Sequence, residues 1–238
     1  MSLVITQPGG DSRPRDPWVI RGVLDQQARM VTVALDEDLW VAYDTKTCVL
    51  YRAWTGDVDF TGAVYDTLHG PQPTIRGTIW LEQTDAKYDW SLVWHELSGN
   101  ASLMRLAPKW KGYRFKEDGS VQFVYDMVNH RGNVMRVTES PEVSRIGGPD
   151  GELALTRTFQ VENLHAGSKL SIAIPTKSPL GPLEFQSNGR LIGMKNHRIL
   201  QVDNGDPVEV TTFIKPPQVE KAPPQTQEED EVPFFLAP

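Results

Sequence analysis

The chain has 238 residues, 39% of them hydrophobic, and a formal net charge of −7, which is length enough for one large domain whose core needs no covalent staples. The acidic balance, without any Lys/Arg block, argues against nucleic acid as a partner. The single cysteine, Cys48, excludes a disulfide framework, a multi-cysteine metal or iron–sulfur centre and a CxxCH haem attachment, so neither a metal nor a cofactor is expected. No apolar run of about 18 residues is present, and no membrane-spanning helix is expected.

Residues 1–16 carry Gly9, Gly10 and Pro14 without periodicity and read as a flexible arm; they lack the basic-then-apolar layout of a signal peptide. Residues 17–215 read as a β domain. Its first half holds dense β-branched and aromatic runs, Met30 to Leu35, Leu39 to Tyr43, Val49 to Trp54 and Thr78 to Leu81, each bounded by Asp or Gly. Cys48, in Thr47-Cys48-Val49-Leu50-Tyr51, reads as a buried structural thiol on a strand. Two short stretches, Tyr65 to His69 and Leu103 to Leu106, are the only helical-turn candidates.

The second half alternates with period two. Tyr113 and Phe115 lead through Glu117-Asp118-Gly119-Ser120 into Val121, Phe123, Tyr125 and Met127, and alternation on both sides of an Asp-Gly turn is a strong hairpin signal. Arg131-Gly132-Asn133 turns the chain into Met135 and Val137, completing a meander. Leu153, Leu155, Arg157, Phe159 and Val161 alternate next, then Leu170, Ile172 and Ile174. Asn188-Gly189 and Asp203-Asn204-Gly205 predict two further hairpins before Val208, Val210, Thr212 and Ile214. Residues 216–238 are rich in Pro, Gln and Glu and read as a disordered tail or linker, ending in an apolar Phe234-Phe235-Leu236. The fold expected is an all-β, antiparallel two-sheet sandwich, in its larger form a supersandwich.

No nucleophile elbow, HExxH, P-loop or dinucleotide fingerprint occurs, and no catalytic residue is assigned. His95-Glu96 is adjacent, but neighbours on a strand point to opposite faces. His69 opens His69-Gly70-Pro71-Gln72-Pro73, a loop whose prolines fix the backbone around two hydrogen-bonding side chains. All seven tryptophans lie in the first half of the chain. Trp40, Tyr43 and Trp54, close in sequence to Asp44, Asp57 and Asp59, offer apolar platforms beside carboxylates, the combination that packs on and hydrogen-bonds to sugar rings. The same aromatics equally suit the wide core of a sandwich. The ligand-binding set expected is therefore Trp40, Tyr43, Asp44, Trp54, His69 and Gln72. Three functions stay open: a non-catalytic module binding carbohydrate or a partner domain, a sugar-acting enzyme of the epimerase type using a histidine with a carboxylate, and a structural spacer.

The stretch from Asp16-Pro17-Trp18-Val19 to Pro71-Gln72-Pro73, with Arg29-Met30-Val31-Thr32-Val33-Ala34-Leu35, Asp38-Leu39-Trp40-Val41-Ala42-Tyr43-Asp44-Thr45 and Leu50-Tyr51-Arg52-Ala53-Trp54-Thr55-Gly56, resembles a β-rich domain of large secreted bacterial proteins. Those proteins also carry c-type cytochrome modules and sugar-dehydrogenase-like propellers. Trp110-Lys111-Gly112-Tyr113-Arg114-Phe115 to Arg136-Val137-Thr138-Glu139-Ser140-Pro141 resembles the continuation of that domain. The resemblance implies a periplasmic or extracellular setting, and a cytochrome or dehydrogenase-like domain or a carbohydrate as partner. It brings no active-site residues with it. The missing CxxCH means that electron transfer would not be this chain's own task.

Overall fold

The structure, a computed structural model, describes residues 16–37, 39–83, 90–95, 101–194 and 197–214. Both the N-terminal arm through residue 15 and the tail from residue 215 onward lie outside the described residues, as does Glu96. The described residues form sixteen strands and no helix. The first sheet takes β1 (Trp18–Leu24), β2 (Gln27–Ala34), β3 (Trp40–Asp44), β4 (Val49–Asp59) and β5 (Thr74–Glu82) in chain order. After β5 the chain supplies β6 (Trp90–His95) and β7 (Ala101–Arg105), then the meander β8 (Ala107–Phe115), β9 (Val121–Val128), β10 (Val134–Ile146) and β11 (Glu152–Glu162). β12 (Ser168–Pro175), β13 (Leu183–Ser187), β14 (Arg190–Gly193), β15 (His197–Val202) and β16 (Val208–Ile214) complete it. The second sheet runs β13-β16-β11-β10-β9-β8 and the third β14-β15-β12-β6-β7. All pairings are antiparallel.

The all-β antiparallel sandwich reading holds, with the strands divided among three sheets rather than two. The division arises because the chain repeatedly leaves one sheet for another. Asn188-Gly189 joins β13 of the six-stranded sheet to β14 of the third sheet, and Asp203-Asn204-Gly205 joins β15 to β16 across the same gap. Both turns expected as hairpins are thus corners between layers, where a turn changes sheets instead of reversing along one. The Asp118-Gly119 and Arg131-Gly132-Asn133 turns do make the expected meander, β8–β9–β10. Neither helical candidate forms: Leu103 lies on β7, and residues 65–69 belong to a non-helical loop.

One continuous core joins the three sheets. It combines Val31, Val41 and Tyr43 of the first, Phe123, Tyr125, Val137 and Phe159 of the second, and Trp90, Leu170, Ile172 and Leu200 of the third. The first sheet is apolar on its other face as well, where Leu24, Met30, Trp40, Trp54 and Val58 form a second core flanked by Trp18, Phe60 and Ile75. Two buried faces explain why its strands read as unbroken apolar runs rather than alternations.

The second core is enclosed by the sheet itself. In a flat sheet β1 and β5 would stand roughly 19 Å apart, at about 4.8 Å per strand spacing. Instead the Asp25 amide donates to the Pro73 carbonyl at 2.9 Å, and the Ile75 amide donates to Asp25 Oδ1 at 3.1 Å. The five strands therefore curl into a half-closed barrel around the indoles. Arg52 pins the closure from outside, reaching Asp25 at 2.7 Å and Glu82 at 2.5 Å. Close approach within the barrel requires Gly77: a Cβ there would lie 1.9 Å from the Thr55 carbonyl oxygen, and its φ is +143°.

Candidate functional site

The longest connection in the barrel, residues 60–73 between β4 and β5, seals its open side. Asp59, the last residue of β4, anchors the start of the loop, accepting hydrogen bonds from the Thr61 amide and hydroxyl. The Ala63 amide donates to the Pro71 carbonyl at 2.8 Å, cinching the loop's neck, and the Val23 amide of β1 donates to the Val64 carbonyl at 2.8 Å. Gly62 is needed at the neck, since a Cβ there would lie 1.8 Å from the Pro71 carbonyl oxygen.

At the tip, Asp66 Oδ1 accepts from the Leu68 and His69 amides at 2.9 and 3.0 Å and sits 2.9 Å from His69 Nδ1. The Gln72 amide nitrogen donates to the Asp66 and His69 carbonyls, both at 3.1 Å. The hydrogen bond from His69, then those from the two amides, hold the Asp66 carboxyl below its ordinary pKa. Short polar side chains bonding their own backbone in this way are what fix turns. The result is a braced loop that presents two large apolar side chains outward: Tyr65 is 90% exposed and Leu68 88%.

The expected ligand set separates into four places. His69 and Gln72 share this loop. Trp40 and Trp54 are fully buried inside the barrel, stacked with centroids 6.0 Å apart, and Trp54 Nε1 donates to the Asp57 carbonyl. Their link to the loop is indirect: Phe60, the first loop residue, packs with its ring 6.3 Å from that of Trp40 and 5.5 Å from that of Trp18. Tyr43 is fully buried on the opposite face of the sheet. Asp44 organises the β3–β4 turn, accepting from the Lys46 amide and the Thr47 hydroxyl, and lines a surface recess of about 440 Å³ with Arg29, Lys46 and Tyr51.

Tyr43 belongs to a charged network inside the main core. The Glu139 carboxylate accepts from Tyr43 Oη at 2.7 Å, from Tyr125 Oη at 2.9 Å and from Arg157 Nε at 2.6 Å. Glu139 is fully buried and Arg157 only 2% exposed. Burial, then the Glu139 charge, pushes both tyrosine pKa values well above the ordinary range, so both phenols are fixed donors. Burial also works against the Arg157 charge, but the charge of the Glu139 carboxylate and its hydrogen bond outweigh it, and the guanidinium stays charged. Cys48 lies close by, in the turn before β4 rather than on the strand itself. Its thiol is pushed up to about 12 by burial and by the Glu139 and Asp44 charges, which leaves no nucleophilic thiolate at neutral pH. The network ties β3 to β9, β10 and β11 and has no access to solvent. Its residues act as structure.

The outward face of the six-stranded sheet carries a second recess, a trough of about 420 Å³ lined by polar side chains from β9, β10, β11 and β16 and from the β8–β9 turn. Among the described residues no cluster of three His, Cys, Asp or Glu could hold a metal ion, and no helix is long and apolar enough to cross a membrane.

The chain matches no protein-family model, no curated protein and no solved structure.

Two features escaped the sequence reading. Arg157 and Glu139 occupy inward positions of otherwise apolar alternations, and a charge at such a position is the signal of a buried pair. The trough residues are ordinary polar outward positions, and only the pairing of distant strands brings them together.

Proposed function

We propose that this chain is a non-catalytic binding module that docks a neighbouring protein domain through Tyr65 and Leu68. The observation that carries this reading is the exposure of those two side chains on a loop braced at its neck and tip by hydrogen bonds. Leaving two large apolar side chains in water forgoes roughly 1.5–3 kcal/mol of burial energy each, so a loop that holds them outward is suited to a partner that covers them. Tyrosine is a frequent centre of interface energy, and a loop already ordered loses little entropy on binding.

The His69–Asp66 pair stands open to bulk solvent, with side chains 75% and 45% exposed, which favours recognition over acid–base chemistry on a sugar. The resemblance of residues 16–73 and 110–141 to domains of secreted multidomain proteins supports a periplasmic or extracellular setting beside a cytochrome or dehydrogenase-like domain. A carbohydrate ligand fits the same setting.

Placing a photoreactive benzoylphenylalanine at Tyr65, and in a second variant at Leu180, which is 52% exposed elsewhere, tests the docking reading in periplasmic extract of the source cell. A discrete adduct is expected from position 65, absent from position 180 and abolished by a Leu68→Asp change. Equal adducts from both positions, or an adduct indifferent to Leu68→Asp, would show that the loop is not the docking surface.

A further inference from the structure

We propose that the trough on the outward face of the six-stranded sheet binds a neutral oligosaccharide. The inference stands apart from the Tyr65 loop, which lies on a different sheet. It starts from parity. On β10, Val137 and Glu139 point into the core, so Thr138 and Ser140 point outward. Outward polar residues on an open sheet face are normally well exposed, yet these two are only 8% and 5% exposed. Walls stand over them. One wall is the β8–β9 turn, where Lys116 is held by Glu142 at 3.2 Å and Asp118 at 3.5 Å. The facing wall is Pro207 and Glu209 at the start of β16.

The floor is a grid of hydroxyls and amides set by strand register. Ser140 pairs with Thr158, and Thr158 with Glu209; Thr138 pairs with Gln160 in the next row. Gln122 extends the first row, donating from its amide to Ser140 Oγ at 3.3 Å while its carbonyl oxygen accepts from Arg114 at 2.6 and 2.9 Å. That amide is thereby fixed in orientation. Thr138, Thr158 and Gln160 make no side-chain hydrogen bond among the described residues and are available to a ligand.

Chemistry narrows the occupant. The volume falls within the about 300–1,000 Å³ typical of small-ligand sites, but the lining is nearly all polar, which disfavours lipids and apolar molecules. Among the lining residues one cation, Lys116, already paired twice, stands against the carboxylates of Asp118, Glu142 and Glu209, and the Arg114 guanidinium beside the trough is engaged by the Gln122 carbonyl oxygen. The lining is net negative, which disfavours phosphates, sulfates and uronic acids. What remains complementary to alternating donors and acceptors without net positive charge is a neutral, polyhydroxylated chain. A trough open along a sheet face, rather than an enclosed pocket, suits several linked sugar rings.

Calorimetric titration of the full chain with cellohexaose, xylohexaose, laminarihexaose and mannohexaose, and with a pentagalacturonate as the charged counterpart, tests this. Saturable binding is expected for at least one neutral hexaose and at least tenfold weaker binding for the galacturonate. The pair Thr158→Val with Gln160→Ala, checked for folding by circular dichroism, is expected to weaken the neutral sugar at least tenfold. Should that pair fail to fold, Thr158→Val alone is read in its place, with at least a threefold loss expected. Tyr65→Ala is expected to leave sugar binding unchanged. Silence from all four neutral hexaoses would overturn the proposal, as would full affinity in the folded trough variant. Loss of sugar binding in Tyr65→Ala, with the trough variant unaffected, would move the sugar to the loop, overturning the trough while leaving the docking loop a separate question.

Discussion

Arg157→Met is expected to cost about 3–5 kcal/mol, because it strands the Glu139 carboxylate in a core that holds no other buried cation among the described residues. For a chain of this size that corresponds to a fall in melting temperature on the order of 10 °C. The guanidinium is 2% exposed and its Nε stands 2.6 Å from Glu139, so water cannot take its place without opening the contact between β3 and the six-stranded sheet. Its planar face also lies over the Phe159 ring at 4.9 Å, and methionine keeps only part of that packing. Changing both partners, Glu139→Met with Arg157→Met, removes the stranded charge and is expected to recover part of the loss, although the Tyr43 and Tyr125 hydroxyls then lose their acceptor. Urea unfolding of the two variants beside the unaltered protein decides it. A single-variant loss below about 1 kcal/mol would mean that the network is hydrated and does not clamp the sheets.

Trp40→Ala is the second large effect. The indole is fully buried, stacked on Trp54 and packed edge-on against Trp18, and its removal is expected to cost about 3–5 kcal/mol through lost burial and the cavity left behind. The loss has a local signature as well. Phe60 rests against Trp40 at the start of the loop, so amide exchange at Ala63, whose N–H bonds across the loop neck, and at Val23, whose N–H ties β1 to the loop carbonyl of Val64, is expected to accelerate more than exchange in β9–β11. His69→Ala, at a side chain 75% exposed, is expected to change stability by no more than about 0.5 kcal/mol. Uniform acceleration across the chain in Trp40→Ala would indicate that barrel and loop are not coupled in this way.

Class and strand positions were legible in the sequence because period-two alternation and Asp-Gly chemistry are local. The meander from Tyr113 to Val137 follows from side-chain parity and turn type alone. The corners at Asn188-Gly189 and Asp203-Asn204-Gly205 were not legible, since the same turn residues serve a hairpin and a change of layer, and only non-local pairing separates the two. The dense runs around Trp40 and Trp54 left two readings open, platform or core. A sheet curled on itself buries both of its faces, and here the indoles fill the inside. The His69–Pro73 loop was legible as a rigid polar segment from its prolines and from the bonding capacity of Gln72. That Tyr65 and Leu68 project from it was not, because exposure depends on the path of the loop across β1.

The central claim, that a rigid loop holds Tyr65 and Leu68 ready for a partner, is tested most directly by backbone ¹⁵N relaxation of the free protein. Residues 61–72 are expected to show order parameters near the roughly 0.85 of rigid backbone, matching β1 and β5, because amides from Val23 to His69 are bonded across and within the loop. Values below about 0.6 at Tyr65 and Leu68 would mean that the loop is mobile in solution, and that its two exposed side chains are not a preformed docking surface.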